Sequence, residues 1–468
     1  MVVGEIEVGT DVLIIGSGPA GYTAAIRCGQ MGLDTTLAGT QLGGVCLNLG
    51  CIPYKSLLHS LSLVFEAREA KLFGVDEQAS LDLKAAQEWK DKVIGRLKDG
   101  IAGVLKANSV EVMDGVCSFV SSNTAIVKSS HGSQRIEFKR AIIATGSHFR
   151  APEGVHLDGV RMTNPSGLSR IDKAPGHAVV LGRGLSSMTT VSLLAKMGSE
   201  VTMAFKGPSP ARTVDDDILQ PALQWLEKNK VRLLPDATWQ VSPDGTSVKI
   251  TSRGREEELK PDRVIFVTPQ EANTASLNLN NTKVKLDKKG FVTVDGDFRT
   301  TDPAIYAVGD VLGGARNAST AFREGLSVAN SMAGKPGLPD YQAMPATIYT
   351  EPPIASAGLT EKQAMERKLD IIIGKAPYSV NGAAALAGNT AGMAKVVADK
   401  ASHRILGVHI IGRNSTDLIA EGMLAIEMGA RLEDVALTLH PHPELCEVFY
   451  EACARAAGMS TNMRTQRR

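Results

Sequence analysis

Aromatic side chains are scarce in this chain, at 4% of residues with 3 tryptophans, and a surface that stacks nucleobases needs them. Neither sign of charge prevails. Lysine and arginine total 51, aspartate and glutamate 50, for a net charge of +1, so there is no electrostatic ground for expecting nucleic acid or an anionic membrane as a partner. No run of about 18 apolar residues occurs, and no basic N-terminal region leads into an apolar stretch. The reading is a soluble, unexported, cytoplasmic protein. Cysteine is sparse as well: Cys28, Cys46, Cys51, Cys117, Cys446 and Cys453 lie scattered through 468 residues, which does not make a disulfide scaffold. In a reducing compartment a disulfide is more often catalytic than structural. The length exceeds what one core accommodates, so roughly two to four domains are expected.

Against that plain background one stretch stands out: Gly43-Gly44-Val45-Cys46-Leu47-Asn48-Leu49-Gly50-Cys51-Ile52-Pro53-Tyr54-Lys55. It puts two thiols behind a glycine pair, about one mononucleotide-binding unit after a glycine-rich loop. A zinc site is the rival reading, but this spacing is not the two-residue knuckle and no second knuckle follows. The loop itself is Gly16-Ser17-Gly18-Pro19-Ala20-Gly21. An apolar run, Asp11 to Ile15, precedes it and a helical pattern, Tyr22 to Met31, follows. Strand, glycine turn and helix in that order form the setting in which this motif cradles a pyrophosphate at a helix N-terminus. A thiol pair delivered to a dinucleotide points to electron transfer between a disulfide and a flavin.

The pattern recurs in mid-chain. Ala178 to Leu181 leads into Gly182-Arg183-Gly184-Leu185-Ser186-Ser187, then a helix to Met197 and a strand from Glu200 to Phe205. Two such units imply two dinucleotides, or one dinucleotide and a remnant. Ala141 to Ala144 reads as a strand turning at Thr145-Gly146. Ile305 to Val308 reads as another, turning at Gly309-Asp310 with an acid where ligands collect in open α/β sheets. The Pro152 region and the Gly334–Pro345 segment read as boundaries. Beyond them, strand-like runs (395–397, 405–411) precede a helix (417–428), and the polar, basic tail 459–468 is expected to fray. In His440-Pro441-His442-Pro443-Glu444-Leu445-Cys446-Glu447 a helix is expected to begin near Pro443, with Glu447 placed to orient the His442 imidazole as an acid/base.

In order and spacing these landmarks resemble the flavin-dependent disulfide oxidoreductases, in particular the dihydrolipoamide dehydrogenase branch, over nearly the whole chain. Tyr349-Thr350-Glu351-Pro352 and Gly358-Leu359-Thr360 belong to the same set. The resemblance implies an α/β protein with two Rossmann-like dinucleotide-binding domains plus a C-terminal α+β dimerisation domain. The FAD-binding domain would come from 1–150 and 276–340, the NAD(P)-binding type from 151–275, and the dimerisation domain from 345–468. It also implies roles. Cys46 would exchange with substrate, Cys51 would lie against the flavin, and Lys55 would sit near the flavin's reactive nitrogen. His442, oriented by Glu447, would be the acid/base, reaching the cysteines from the other subunit of a homodimer. FAD would be held by Gly16, Gly18, Pro19, Ala20, Gly21, Gly44, Lys55, Thr145, Gly146 and Asp310, and a nicotinamide dinucleotide by Gly182 and Gly184. The implied substrate is dihydrolipoamide or a lipoyl-bearing protein. NAD is the implied acceptor, with NADP or a non-nicotinamide acceptor as alternatives. A structural or regulatory flavoprotein of a lipoyl-containing complex is the reading from another class.

Departures from the family pattern cluster on the second unit. Thr189 stands where a glutamate normally approaches the nicotinamide, and Phe205 where an acid binds the adenosine ribose. Pro269-Gln270 replaces a glycine–arginine turn, and Ser187 the third glycine. In the first unit the corresponding ribose acid aligns with Gly39. The acceptor missing at position 205 is expected to cost roughly 1.5–3 kcal/mol, or about one to two decades in affinity, whereas FAD, with its many other contacts, is still expected to bind despite Gly39. Lys206 and Arg212 read first as two solvated surface charges, and alternatively as cations suited to a 2′-phosphate.

Overall fold

Short β-branched runs ending at glycine turns build parallel sheets twice in this chain, and an antiparallel sheet closes it. The computed structural model describes residues 7–76, 78–335 and 340–463. They form two compact units.

The first unit comprises Met1–Glu153, Ser166–Lys173 and Thr268–Pro339. Its sheet runs Val110–Met113, Thr35–Ala38, Glu7–Ile15 and Gly132–Ile143, with Ile305–Ala307 pairing to the end of the last strand and a hairpin, Val116–Ser121 and Thr124–Ser129, to its beginning. Register decides what the sheet does. Ile15 lies opposite both Ala38 and Ile143, and Ile143 lies opposite Ala307, all in parallel. Four carboxyl ends therefore finish at one edge, so the turns at Gly16, Gly39, Thr145-Gly146 and Gly309-Asp310 emerge together. Helix Pro19–Gln30 packs its Ala24, Ala25 and Cys28 against this sheet, beside Val328 and Ala329 of helix Ala318–Met332.

The second unit comprises Gly154–Pro165, Ala174–Val267 and Asp340–Arg468. A parallel sheet orders Val231–Leu234, Glu200–Ala204, His177–Leu181, Arg263–Phe266 and Met162–Thr163. Helix Leu185–Lys196 follows its glycine turn. The C-terminal sheet is antiparallel, in the order Ala346–Ile348, Ile354–Gly358, Ile405–Ile411, Met393–Asp399 and Ile371–Pro377. Helices Ser415–Glu427 and Glu447–Ala456 cover it. This is the α/β architecture with an appended α+β layer that the sequence implies.

Lys395, 1% exposed, joins the two layers of this unit by ion pairs to Asp215 at 2.9 Å, Asp217 at 3.0 Å and Glu361 at 2.7 Å. Burial works against the charges on both aspartates, yet Lys395, with Lys375 at Asp217, holds them below the ordinary carboxylate range.

The structure corrects one expected boundary. The helix expected near Pro443 begins at Glu447. Before it the chain turns through bonds spanning three residues, Glu447 to Glu444 and Val448 to Leu445. The Glu447 carboxylate closes that turn on the Glu444 N–H at 3.0 Å, so this side chain organises the loop instead of decorating a helix already under way. Of the tail expected to fray, residues 464–468 lie outside the described residues. No helix among the described residues is long and apolar enough to cross a membrane.

Candidate functional site

The thiol pair is assembled by a tight reversal in the first unit. Cys46 sits in the short helix Gly44–Asn48 and Cys51 opens helix Cys51–Glu69. The N–H groups of Leu49 and Gly50 both donate to the Val45 carbonyl, at 2.8 and 2.7 Å. Asn48 fastens the entry, donating to the carbonyls of Leu42 and Gly44 at 3.1 and 2.8 Å. The reversal brings the two sulfurs into hydrogen-bond contact and makes them unequal. Cys46 is pushed well up, first by the hydrogen bond it makes to Cys51 and then by burial. Cys51 is pulled down, first by that same bond and further by its own backbone N–H at the helix start. Cys51 is thus the thiolate and Cys46 the thiol that keeps its proton. In the single chain Cys51 is exposed and Cys46 partly buried, so exposure does not sort the two, whereas this polarity does. Lys55 follows Cys51 by one helical turn, on the same face. Tyr22 lies close enough that burial first, and then the neighbouring thiol pair, push its hydroxyl up to about 12.

Three observations test whether a dinucleotide fits here. Gly44 has φ +58°, and a Cβ on it would stand 2.6 Å from the Gly18 Cα, so the two glycine turns form a cradle with no room for a side chain. Thr145 Oγ1 is buried without a hydrogen-bond partner. Asp310 is buried enough for its pKa to rise, with Ser147 donating at 3.4 Å as a weak counterweight. Backbone N–H groups, an orphan hydroxyl and a partly buried acid at one sheet edge fit the pyrophosphate and polyol of FAD. Gly39 offers no acid, and none could be added there: its Cβ would meet Ser17 Oγ at 2.6 Å and Ser17 N at 2.9 Å. Gly44→Ala is expected to weaken FAD retention about tenfold to a hundredfold, since forcing this backbone costs about 1–3 kcal/mol. Flavin content after gel filtration measures it.

In the second unit Gly182 closes its turn by donating to the Ala204 carbonyl at 2.9 Å. Gly184 has φ +112° with open space where a Cβ would be, and its N–H donates to the Pro210 carbonyl at 2.8 Å. Phe205, 1% exposed, is core and not a misplaced ligand. The Thr189 hydroxyl accepts from the Tyr349 N–H at 3.2 Å. Ser187 fits at the third-glycine position, fully buried, with its Oγ unpartnered. Arg183, which sequence reasoning passed over, donates to the Lys206 carbonyl at 2.6 Å. Its guanidinium therefore lies at the end of strand Glu200–Ala204, against the backbone of Lys206; the Lys206 and Arg212 side chains are both exposed. In the same unit His442 is 77% exposed, and its Nδ1 meets Glu447 Oε1 at 3.0 Å. A carboxylate accepts, so Nδ1 donates and Nε2 is left to exchange protons.

Of the residues singled out from sequence, the first unit gathers Cys46, Cys51, Lys55, Gly16, Gly18, Pro19, Ala20, Gly21, Gly44, Thr145, Gly146 and Asp310. The second carries Gly182, Gly184, His442 and Glu447. Tyr22, Ser147 and Arg183 were missed. Only Arg183 left a signal, as a cation inside a glycine turn. Pro269, where the family pattern has a glycine–arginine turn, supplies a carbonyl to the Arg150 N–H at 3.2 Å. No group of three or more histidine, cysteine or acidic side chains among the described residues could hold a metal ion.

Comparison with known proteins gives a consistent answer. The pyridine nucleotide-disulphide oxidoreductase family matches residues 10–325, and the dimerisation domain of that family matches 344–453. Dihydrolipoyl dehydrogenase 2 of Haloarcula marismortui is 36% identical over 99% of this chain and 100% of its own. Dihydrolipoyl dehydrogenase of Bacillus subtilis is 36% identical over 98% of each. The crystal structure of LpdA from Mycobacterium tuberculosis shares the fold with a TM-score of 0.87, at 23% identity over 95% of this chain and 99% of that one.

Proposed function

The chain belongs to the pyridine nucleotide-disulphide oxidoreductase family, and we propose that it is an FAD-dependent dihydrolipoamide dehydrogenase working as a homodimer through a Cys46–Cys51 redox disulfide. The observation that carries this reading is the thiol pair in hydrogen-bond contact at a helix start, in the same unit as a glycine cradle and a partly buried acid. A dihydrolipoyl dithiol gives a proton to His442, and the resulting thiolate attacks Cys46 Sγ, releasing Cys51 as thiolate. The second substrate sulfur then displaces Cys46, so the lipoyl disulfide closes and the electron pair resides on the two cysteines. Glu447 keeps the imidazole oriented, and Lys55 places a positive charge one turn from Cys51. FAD, when bound by the first unit, supplies the two-electron acceptor for that thiolate. His442 of one chain is proposed to serve the cysteine pair of its partner.

NAD+ is the default acceptor. A second reading, NADP+, is favoured by Arg183 and Lys206 at a strand end that offers phenylalanine in place of a carboxylate, with Arg212 exposed six residues on. A 2′-phosphate at such cations forms charge-assisted hydrogen bonds that a bare ribose does not. Anaerobic mixing of the flavoprotein with dihydrolipoamide, NADH and NADPH in turn tests both readings. Dihydrolipoamide is expected to reduce the flavin rapidly, and the faster nicotinamide identifies the acceptor. A flavin untouched by the dithiol would refute the function.

A further inference from the structure

Two residues before His442, a second histidine makes a tighter set of contacts. His440 is 8% exposed, and its Nε2 lies 2.9 Å from Glu421 Oε1 on helix Ser415–Glu427. Its Nδ1 lies 2.9 Å from the Thr438 carbonyl. Its ring packs on Tyr450 of helix Glu447–Ala456, centroids 5.3 Å apart. The Thr438 carbonyl and the Glu421 carboxylate thus hold the ring from its two nitrogens. The result is an imidazole fixed at both ends and packed against an aromatic ring. Glu421 also faces Cys446 and Cys453, adding to the burial that raises both thiols. Its carboxylate therefore sits behind the very turn that carries His442 and Glu447.

The connection from His440 to His442 is stiff. Pro441 lies between them and Pro443 follows, each with φ locked, and each histidine, preceding a proline, has a restricted backbone of its own. A shift at His440 is therefore transmitted and not absorbed. We propose that His440, held by Glu421 and Thr438, is a positioning residue that sets the His442–Glu447 pair for proton transfer from the dithiol, an inference that rests on the dithiol function above.

The test separates the two half-reactions of the flavoprotein. His440→Ala is expected to slow reduction by dihydrolipoamide about tenfold to a hundredfold, the loss that accompanies a displacement near 1 Å. Flavin content, dimer mass and reduction by the nicotinamide are expected to stay near their wild-type values, because the contacts of His440 are with Glu421, Thr438 and Tyr450 and not with the dinucleotide turns. His440→Gln, which keeps one donor for Glu421, recovers part of the lost rate. In histidine-labelled protein the His442 imidazole resonance moves in His440→Ala. An unmoved resonance with an unchanged dithiol rate overturns the proposal. So does an equal fall in both half-reactions, which marks general damage. If wild-type protein is not reduced by dihydrolipoamide, the function fails on its own account, and the His442 resonance alone then decides whether His440 positions it.

Discussion

Replacing Cys51 with serine abolishes the long-wavelength thiolate–flavin absorbance and lowers dihydrolipoamide oxidation by roughly three orders of magnitude or more. The covalent route is removed and not merely slowed, because no disulfide remains to accept the electron pair. Cys46→Ser removes the same disulfide, so turnover is lost equally, but the absorbance behaves differently. Cys51 owes its lowered pKa first to the hydrogen bond from Cys46. Without that bond the thiol moves back toward its ordinary value of 9.0. In reduced wild-type protein the band therefore persists as pH falls below 9.0 and fades only through the depressed value, whereas in Cys46→Ser it fades nearer 9.0. A pH titration of the band in the two proteins measures the difference. A band that survives in Cys51→Ser would transfer the thiolate role elsewhere.

Replacing His442 with glutamine slows the dithiol half-reaction by about 10²–10⁴-fold, the usual contribution of a general acid–base group. Glutamine can still donate to Glu447, so the loop keeps its turn, but it has no nitrogen that accepts a proton. Reduction by the nicotinamide needs no such base and stays near the wild-type rate. Stopped-flow traces of the two half-reactions read the split. Equal slowing of both would mean that the substitution disturbed flavin binding, and unchanged dithiol reduction would remove His442 from the chemistry.

Both expectations rest on features that the sequence exposed to different degrees. The strand–turn–helix units were readable because four or five consecutive apolar residues, closed by a glycine, specify a buried parallel strand almost by themselves. From there the edge where Gly16, Thr145 and Asp310 converge follows from parallel register. The helix start at Glu447 was not readable, because a proline marks a permissible first turn while a side chain decides it here: the Glu447 carboxylate takes the Glu444 N–H. Nor was the steric bar at Gly39, since the blocking group, Ser17, is distant in sequence and reaches it only across paired strand ends. Arg183 and Phe205 show the same limit. One guanidinium is placed by a carbonyl 23 residues away, and one aromatic ring is turned inward where a ligand-binding acid was the expectation. The unequal thiols were legible only through the family resemblance, because spacing puts two cysteines near each other but says nothing of which keeps the proton.

Differential alkylation followed by peptide mass spectrometry tests the redox disulfide most directly. The oxidised flavoprotein is predicted to protect Cys46 and Cys51 as one linked pair. After one equivalent of dihydrolipoamide under anaerobic conditions, both should become alkylated, while the labelling of Cys28, Cys117, Cys446 and Cys453 stays as it was. Labelling of Cys46 and Cys51 that does not change on adding the dithiol, or a change centred on any of the other four, would contradict the account.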